Sequence, residues 1–521
     1  MSKKKNVSRR VSFRTVALVC VGLILAGLIT AGCTSTTPTP EMVTVVETVI
    51  VEKEVEGETV TIVETVEVEK IVEVEKIVEA TAVPVEEVES VPIVFLSQET
   101  DPLSVEIFRE AIKDFEAANP DIRIEIQFVG PDQIVETMVA ALSAGASALD
   151  VFQPNPAVGF LLGAEGQLLP LNDMVEEMGG DEFFLGGDEF LRLGDDIYGV
   201  PFGGGLSIVW YRTDLFEADG IEVPQTLDEF EAAARHFTRE FNPDSPTEFG
   251  VTLPLSHSGA TWLFGTPFLY GFGGEIFDED LNVVFDSPET VAAVEWYASM
   301  ALYTSEAAVG YAWGDMIDTF LTEQVAMTFY LGRPLGRVYA NAPQLVGNIG
   351  VFPYPTDNIK ATVSDPSYYA INANTEYPEQ AQRWVKYLLS PEVSAEVFCT
   401  IPAHILPVNQ DQLDWWNQDV TGCDMLDENP EIKAVFGDYL QYAYNPIVNA
   451  GGVYKANQEG ADTFVFTGSA NPIYSAPDYP FAAAVQLVVV EGMSPADAVK
   501  QVAEEAARVA EEQKQELGWG E

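Results

Sequence analysis

The chain has 521 residues, too many for one hydrophobic core and enough for two or three. Hydrophobic residues make up 47% and aromatics 11%, so most of it is expected to fold. Its 26 Lys and Arg against 82 Asp and Glu leave a formal net charge of −56, a field that repels phosphate backbones and excludes nucleic acid as a partner. The acidity reads as a solvated surface that keeps the protein soluble, with cation binding as the alternative.

The first residues break the acidic rule. Lys3, Lys4, Lys5, Arg9, Arg10 and Arg14 precede an apolar run from Val16 to Ile29, the layout of a signal peptide over residues 1–32. The run is short for a stable spanning helix. It ends in Thr30-Ala31-Gly32-Cys33, which resembles the bacterial lipobox and implies cleavage before Cys33 and a lipid on its thiol. Thr30 stands where that motif usually carries Leu, Val or Ile. An uncleaved membrane anchor is the other reading, and under both the body lies outside the membrane. Of the remaining cysteines, Cys20 leaves with the leader. Cys399 and Cys423 are a reasonable disulfide pair in an oxidising compartment, worth about 3 kcal/mol.

Residues 33–91 form a tether. Thr34 to Pro40 is rich in Ser, Thr and Pro, and a Val/Glu/Lys segment follows from Glu41 to about Val91. The six-residue step Val68-Glu69-Lys70-Ile71-Val72-Glu73 repeats as Val74-Glu75-Lys76-Ile77-Val78-Glu79. A six-residue step fits no helical seam, whereas Val/Glu alternation fits extended strand. Fully extended, the tether would reach on the order of 190 Å. Oligomerisation through it is the rival reading.

The globular body spans 92–521. Ile93 to Leu96 is an apolar run suited to a buried strand, and Val105 to Ala118 places Ile107, Phe108, Ala111, Ile112 and Phe115 on one helix face. Asn119-Pro120-Asp121 stops that helix, and Ile122, Ile124, Ile126 and Phe128 alternate as the next strand. Gln133 to Ala144 then reads as a helix and Ala148 to Phe152 as a strand. This βαβ rhythm predicts an α/β body with a mostly parallel, doubly wound sheet. Ligands bind beyond the carboxyl ends of such strands, which places Gln98, Glu99 and Asn155 at one mouth.

Tyr198-Gly199-Val200-Pro201, the strand ending in Tyr211-Arg212, then Asp214-Leu215-Phe216, Gly220, Pro224 and Thr226-Leu227-Asp228-Glu229 resemble a diagnostic segment of family 1 extracellular solute-binding proteins. Arg212 replaces the family's usual Asn and Leu227 its usual Trp. Phe320 to Met327, Ala370-Ile371-Asn372, Pro378 to Ala381, Trp384 to Glu392, Pro407-Val408-Asn409 and Gly492-Met493-Ser494-Pro495 continue the resemblance in order. It implies a two-lobed periplasmic-binding-protein-like fold with hinge strands, lobe 1 over about 92–207 and 372–432 and lobe 2 over about 212–369 and 440–521. It also implies a carbohydrate or related solute between the lobes and ABC-importer permease subunits as partners.

Sugars present apolar C–H faces and rings of hydroxyls, so their sites pair aromatic platforms with carboxylate, amide and guanidinium groups. Trp262 falls where maltose-binding-type members place a stacking aromatic, against an ordinary core role. Trp313, Tyr368, Tyr479 and Phe481 lie near segments that line the cleft in relatives. Arg333, in Leu331-Gly332-Arg333-Pro334, departs from the family, which often has a stacking Trp there. It is open to clamping a carboxylate or phosphate, as on an anionic sugar or polyol phosphate, or to pairing with local acids.

An enzyme is not expected. The three histidines, His236, His257 and His404, form no His-Glu-x-x-His, and there is no Cys-x-x-Cys or Gly-x-Ser-x-Gly. No cofactor or metal is signalled. A surface-anchored carbohydrate-binding adhesin without a transport role is the alternative to an importer subunit.

Overall fold

The structure is a computed structural model and describes residues 44–55, 58–69, 90–130, 133–145, 148–154, 156–180, 183–184, 191–193, 195–278, 282–443, 453–456, 464–468 and 479–516. The leader, Cys33 and Asn155 therefore lie outside the described residues. The chain divides into two units, Met1–Glu86 and Glu87–Glu521. No helix among the described residues is long and apolar enough to cross a membrane.

In the first unit, strands β1 (Thr44–Val55) and β2 (Glu58–Glu69) pair antiparallel from Thr44 opposite Glu69 to Val55 opposite Glu58. The Val/Glu alternation does give β structure. The strands double back as a hairpin, however, so this stretch is not one extended rod.

The second unit opens with β3 (Val91–Ser97), α1 (Pro102–Ala118), β4 (Ile122–Phe128), α2 (Ile134–Ala144), β5 (Val151–Phe152), α3 (Pro156–Ala164) and α4 (Asn172–Met178). Helix α1 begins with Pro at its first turn, where the missing N–H costs nothing, and stops at Asn119, whose side chain donates to the Phe115 carbonyl at 2.9 Å. A short pair, β6 (Arg192–Leu193) and β7 (Asp196–Ile197), leads into β8 (Val200–Leu206).

Across Ser207 the chain enters β9 (Ile208–Arg212), followed by α5 (Thr213–Asp219) and α6 (Leu227–His236), the latter opened by a capping box between Thr226 and Glu229. Then come β10 (Phe249–Thr252), α7 (Gly259–Phe272), α8 (Pro288–Ser299), α9 (Trp313–Leu321), β11 (Val325–Tyr330), α10 (Arg333–Asn341) and β12 (Ile349–Phe352). The long β13 (Lys360–Ile371) returns to the first sheet. After it lie α11 (Pro378–Leu388), α12 (Pro391–Thr400), α13 (Gln410–Trp416), α14 (Asp424–Asp427) and α15 (Pro430–Ala443), then β14 (Val453–Ala456), β15 (Phe464–Gly468), α16 (Pro480–Val489) and α17 (Pro495–Glu516).

Two sheets result, one per lobe. The first runs β14-β15-β13-β5-β3-β4 with β8 alongside β13, and the second runs β10-β11-β9-β12. Strands β3, β4 and β5 are parallel, as the βαβ rhythm predicts. The strands that arrive from the other lobe without a helical crossover run against their neighbours: β13 is antiparallel to β5 and β8, and β9 to β11 and β12.

The first sheet is covered on both faces. Phe95, Phe108, Phe115 and Trp384 lie in the core on one side, and Leu96, Met138, Leu149 and Phe152 on the other. The second lobe has a single core around Trp210, Phe230, Phe268, Tyr297 and Phe329. Trp416, Cys423, Leu426, Ile432 and Phe436 belong to that core as well, although the sequence reading counted 372–432 with lobe 1.

Two of the segments that pass between the lobes are β8–Ser207–β9 and β13, whose start pairs with β15, middle with β8 and end with β5, with an irregularity between Ser367 and Tyr368. These two are tied at Ser207, whose N–H donates to the Val363 carbonyl and whose carbonyl accepts from the Thr362 hydroxyl. The chain crosses again after α12, since Trp416 and Phe436 lie in the lobe 2 core.

Candidate functional site at the strand ends

Four strands end at the candidate site. In lobe 1, β3 ends at Ser97 and β5 at Phe152, followed by Gln98, Glu99 and Asp101 on one side and Gln153 on the other. Gln153 ties the two ends together, its Oε1 accepting from the Gln98 N–H at 2.8 Å and from the Ser97 hydroxyl at 3.0 Å. Its side chain also reaches the buried Tyr369 hydroxyl, where its hydrogen bond works against the rise in pKa that burial causes. Asp101 is the N-cap residue of α1, yet its carboxylate does not cap the helix. It is turned elsewhere, forgoing about 1 kcal/mol of helix stabilisation.

The destination of that carboxylate is lobe 2. Strand β11 ends at Tyr330, and Arg333 opens α10 three residues later. Arg333 Nη2 donates to Glu99 Oε2 at 2.8 Å, its Nη1 donates to Asp101 Oδ2, and Arg337 Nε donates to Asp101 Oδ1. The side chains of Arg333, Glu99 and Asp101 are 12%, 2% and 8% exposed, so this part of the network is shielded from solvent, whereas Arg337 is 30% exposed. Burial opposes the charge on Arg333, but Glu99 and Asp101 outweigh it and its pKa is raised.

Gly332 makes this approach possible: a Cβ there would stand 2.0 Å from the Ala403 carbonyl carbon and 2.2 Å from the His404 nitrogen. The His404 ring stacks on Tyr330 with centroids 6.1 Å apart, and its Nδ1 is buried without a partner among the described residues. Burial first, then the nearby positive charges of Arg333 and Arg337, hold its pKa well below the usual histidine value, so the ring is neutral at neutral pH.

The fourth strand, β10, ends at Thr252 and leads to the start of α7. There Ser256 hydroxyl donates to the Tyr311 carbonyl at 2.6 Å, fixing the turn ahead of Trp262. Trp262 is 7% exposed and its Nε1–H is buried without a partner among the described residues. Its ring lies 6.0 Å from Tyr479. Gly259, in the first turn of α7, brings Tyr479 and Trp313 to the same spot, since both would be within 3.4 Å of a Cβ there. Trp313 in turn meets Phe264 and Tyr330 edge-on, at 5.5 and 6.5 Å. Tyr479 has φ 57°, a left-handed conformation that a tyrosine before Pro480 adopts only under constraint.

The sequence-derived candidates thus divide. Gln98, Glu99 and Arg333 come together, and so do Trp262, Trp313 and Tyr479, with Tyr330 and His404 between the groups. Phe481 is fully buried against Tyr297 in the lobe 2 core, and Tyr368 is fully buried on β13, so neither offers surface to a solute. Arg333, left open between anion clamp and ion pair, is paired. Sequence reading missed Asp101, Gln153, Arg337, Tyr330 and His404; the only available signal was that Gln153 and Asp101 closely follow strand runs.

Cys399 and Cys423 lie side by side, with Cys423 Sγ 3.9 Å from the Cys399 carbonyl oxygen, and both are free thiols in this structure. His236 is a surface residue paired with Asp219 at 2.7 Å.

The fold has many relatives. A maltose-bound MalE3 of Thermotoga maritima covers 81% of this chain and 100% of its own at a TM-score of 0.67 and 19% identity. An ABC transporter solute-binding protein from Thermotoga lettingae, bound with α-D-tagatose, matches at a TM-score of 0.66 and 21% identity over the same shares. In sequence, an arabinooligosaccharide-binding protein of Halalkalibacterium halodurans is 22% identical over 354 residues, 64% of this chain and 74% of its own. The family model for bacterial extracellular solute-binding proteins matches residues 101–395, from Asp101, which reaches across the lobes, into α12. Two lobes on two sheets, joined by paired crossing strands and meeting at their strand ends, are what that match describes, and the chain belongs to the bacterial extracellular solute-binding proteins.

Proposed function

We propose that this protein captures a sugar or polyol between its lobes, on the outer side of the membrane, and presents it to the permease subunits of an ABC importer. The observation that carries the reading is the convergence of aromatic rings and buried unpartnered polar atoms where the strand ends of both lobes meet. Trp262, Trp313, Tyr330 and Tyr479 supply faces for C–H surfaces, while Trp262 Nε1 is a donor that a hydroxyl or ring oxygen would satisfy. Leaving such a donor buried and unmade costs about 1–3 kcal/mol, which a bound solute would recover. The sugar-bound relatives point to the same class of ligand.

Capture rather than conversion fits the site, whose acids are engaged with arginines instead of being poised as a free acid–base pair. Closing the lobes would work through β8–Ser207–β9 and β13, the closed form being favoured in proportion to its differential affinity for the solute. Cys33 is proposed as the lipid attachment point, and Asn155 remains a proposed contact. The test is a thermal-shift and calorimetric screen of the purified protein over sugars and polyols, in which a ligand at 100 times its Kd adds about 2.7 kcal/mol. Unchanged melting across the whole panel would sink the reading. Loss of acyl labelling in Cys33→Ala checks the anchor.

A further inference from the structure

We infer that Glu99 and Asp101 set the charge selectivity of the site: by holding Arg333 and Arg337 from the opposite lobe, they make the cleft's cationic groups unavailable to anions and restrict the solute to uncharged sugars and polyols. The inference rests on the capture reading and adds to it the residues that decide between a neutral ligand and its phosphorylated counterpart.

The argument begins with charge. Two carboxylates face two guanidinium groups, so the four side chains sum to zero. On the lobe 1 side both oxygens of Asp101 are engaged, while Arg337, 30% exposed, gives Asp101 its Nε. Asp101 spends one oxygen on Arg333 and the other on Arg337, and Arg333 divides its two terminal nitrogens between Asp101 and Glu99. An entering phosphate would have to displace buried carboxylates already in contact, or add a third negative charge beside two that are held in place. Either is costly at this degree of burial.

The placement is not incidental to folding. Asp101 gives up its own helix cap to make these contacts, and Gly332 removes the side chain that would keep α10 away. Glu99 and Arg333 stand 234 positions apart, so the pair joins lobe to lobe and sits where the strands of both end. The donor left over nearby, Trp262 Nε1, is neutral. The site therefore offers an incoming solute a neutral donor and aromatic faces, and no unneutralised cation.

The experiment removes the carboxylates and asks whether an anion then binds. The probe is inorganic phosphate, compared with chloride at equal ionic strength, on the wild-type protein, on Glu99→Gln/Asp101→Asn, and on the same pair carrying Arg333→Gln as well. The expected result is a phosphate-specific rise in melting temperature of about 2 °C or more in the double variant, absent from the wild type and lost again in the triple variant. Should the double variant fail to fold, Glu99→Gln alone frees one Arg333 nitrogen while Asp101 still holds both arginines, and a smaller rise is expected.

A wild-type protein that already responds specifically to phosphate through Arg333, or a folded acid variant that does not respond, overturns the inference. In parallel, D-glucose and D-mannitol are titrated beside glucose 6-phosphate and mannitol 1-phosphate. Binding of a neutral member at least tenfold tighter than its phosphate supports the assignment, and the reverse order overturns it. Silence toward all four and toward the wider sugar panel counts against solute capture itself, while the phosphate arm still decides the role of Glu99 and Asp101.

Discussion

Trp262 is both a wall of the lobe 2 core and a rim of the site, and the two roles separate by substitution. Trp262→Ala would empty a 7% exposed indole position and cost about 3–5 kcal/mol, so loss of binding there says little about contact. Trp262→Phe keeps a ring and removes only the Nε1–H. The unliganded melting temperature should then fall by no more than a few degrees, while affinity for the sugar ligand drops about tenfold, the worth of one hydrogen bond. Equal affinities by calorimetry would reassign the residue to the core alone.

His404 gives a second test at the same scale. Its folded pKa is depressed by burial and by Arg333 and Arg337, with Glu99 and Asp101 beyond them and Tyr330 stacked on the ring. Below about pH 6.5 the unfolded chain takes up a proton that the folded chain refuses. The stability present above that pH is therefore lost as pH falls toward the depressed value. His404→Asn should flatten this dependence by up to about 1.4 kcal/mol per pH unit between pH 6 and 5 in denaturant titrations. A variant with the wild-type slope would show that the histidine is not held neutral.

Among the elements, the regular ones were readable before any coordinates. The alternation of Ile122, Ile124 and Ile126, the helix face ending at Phe115 and the stop at Asn119 each express a local preference, and local preference and tertiary context agree there. Hinge strands were expected only through the family resemblance, since no local pattern marks a crossing at Ser207. The network was not readable, because Arg333 finds its acids 232 and 234 positions away and nothing local marks Asp101 as anything but a helix cap. Phe481 misled for the opposite reason: an aromatic just after a cleft-lining segment looks the same whether it faces solute or core.

Gly332 is where local sequence and long-range geometry meet, so Gly332→Ala is the informative change in α10. The new Cβ would press on the backbone of Ala403 and His404 rather than on a yielding side chain. We expect a loss of about 1–3 kcal/mol in unfolding stability, together with a weakened Arg333–Glu99 contact and reduced solute affinity. Unaltered stability would mean that α10 can retreat freely. The thiols in the last turn of α12 and just before α14 offer a parallel test. Under oxidising conditions Cys399 and Cys423 should join, adding about 3 kcal/mol that dithiothreitol removes and that Cys399→Ser/Cys423→Ser lacks.

For the molecule as a whole, two electrostatic effects of opposite salt dependence compete. A net charge of −56 repels itself over distances longer than the Debye length, about 10 Å at 0.1 M salt, and folding concentrates that charge. The exposed ion pairs, such as Arg508 with Glu505 and Glu512, contribute at most about 1 kcal/mol each and are screened as readily. The Glu99–Arg333–Asp101 network is buried and is screened far less. Repulsion should therefore dominate the response: raising sodium chloride from about 0.01 M to about 0.3 M is expected to raise the melting temperature and, for an uncharged solute, to tighten binding, because closing the lobes brings acidic surfaces together. Calorimetry at both salt concentrations measures each. A melting temperature or affinity that falls with salt would mean that attractive pairs, the cross-lobe network first among them, govern closure more than the surrounding acidity does.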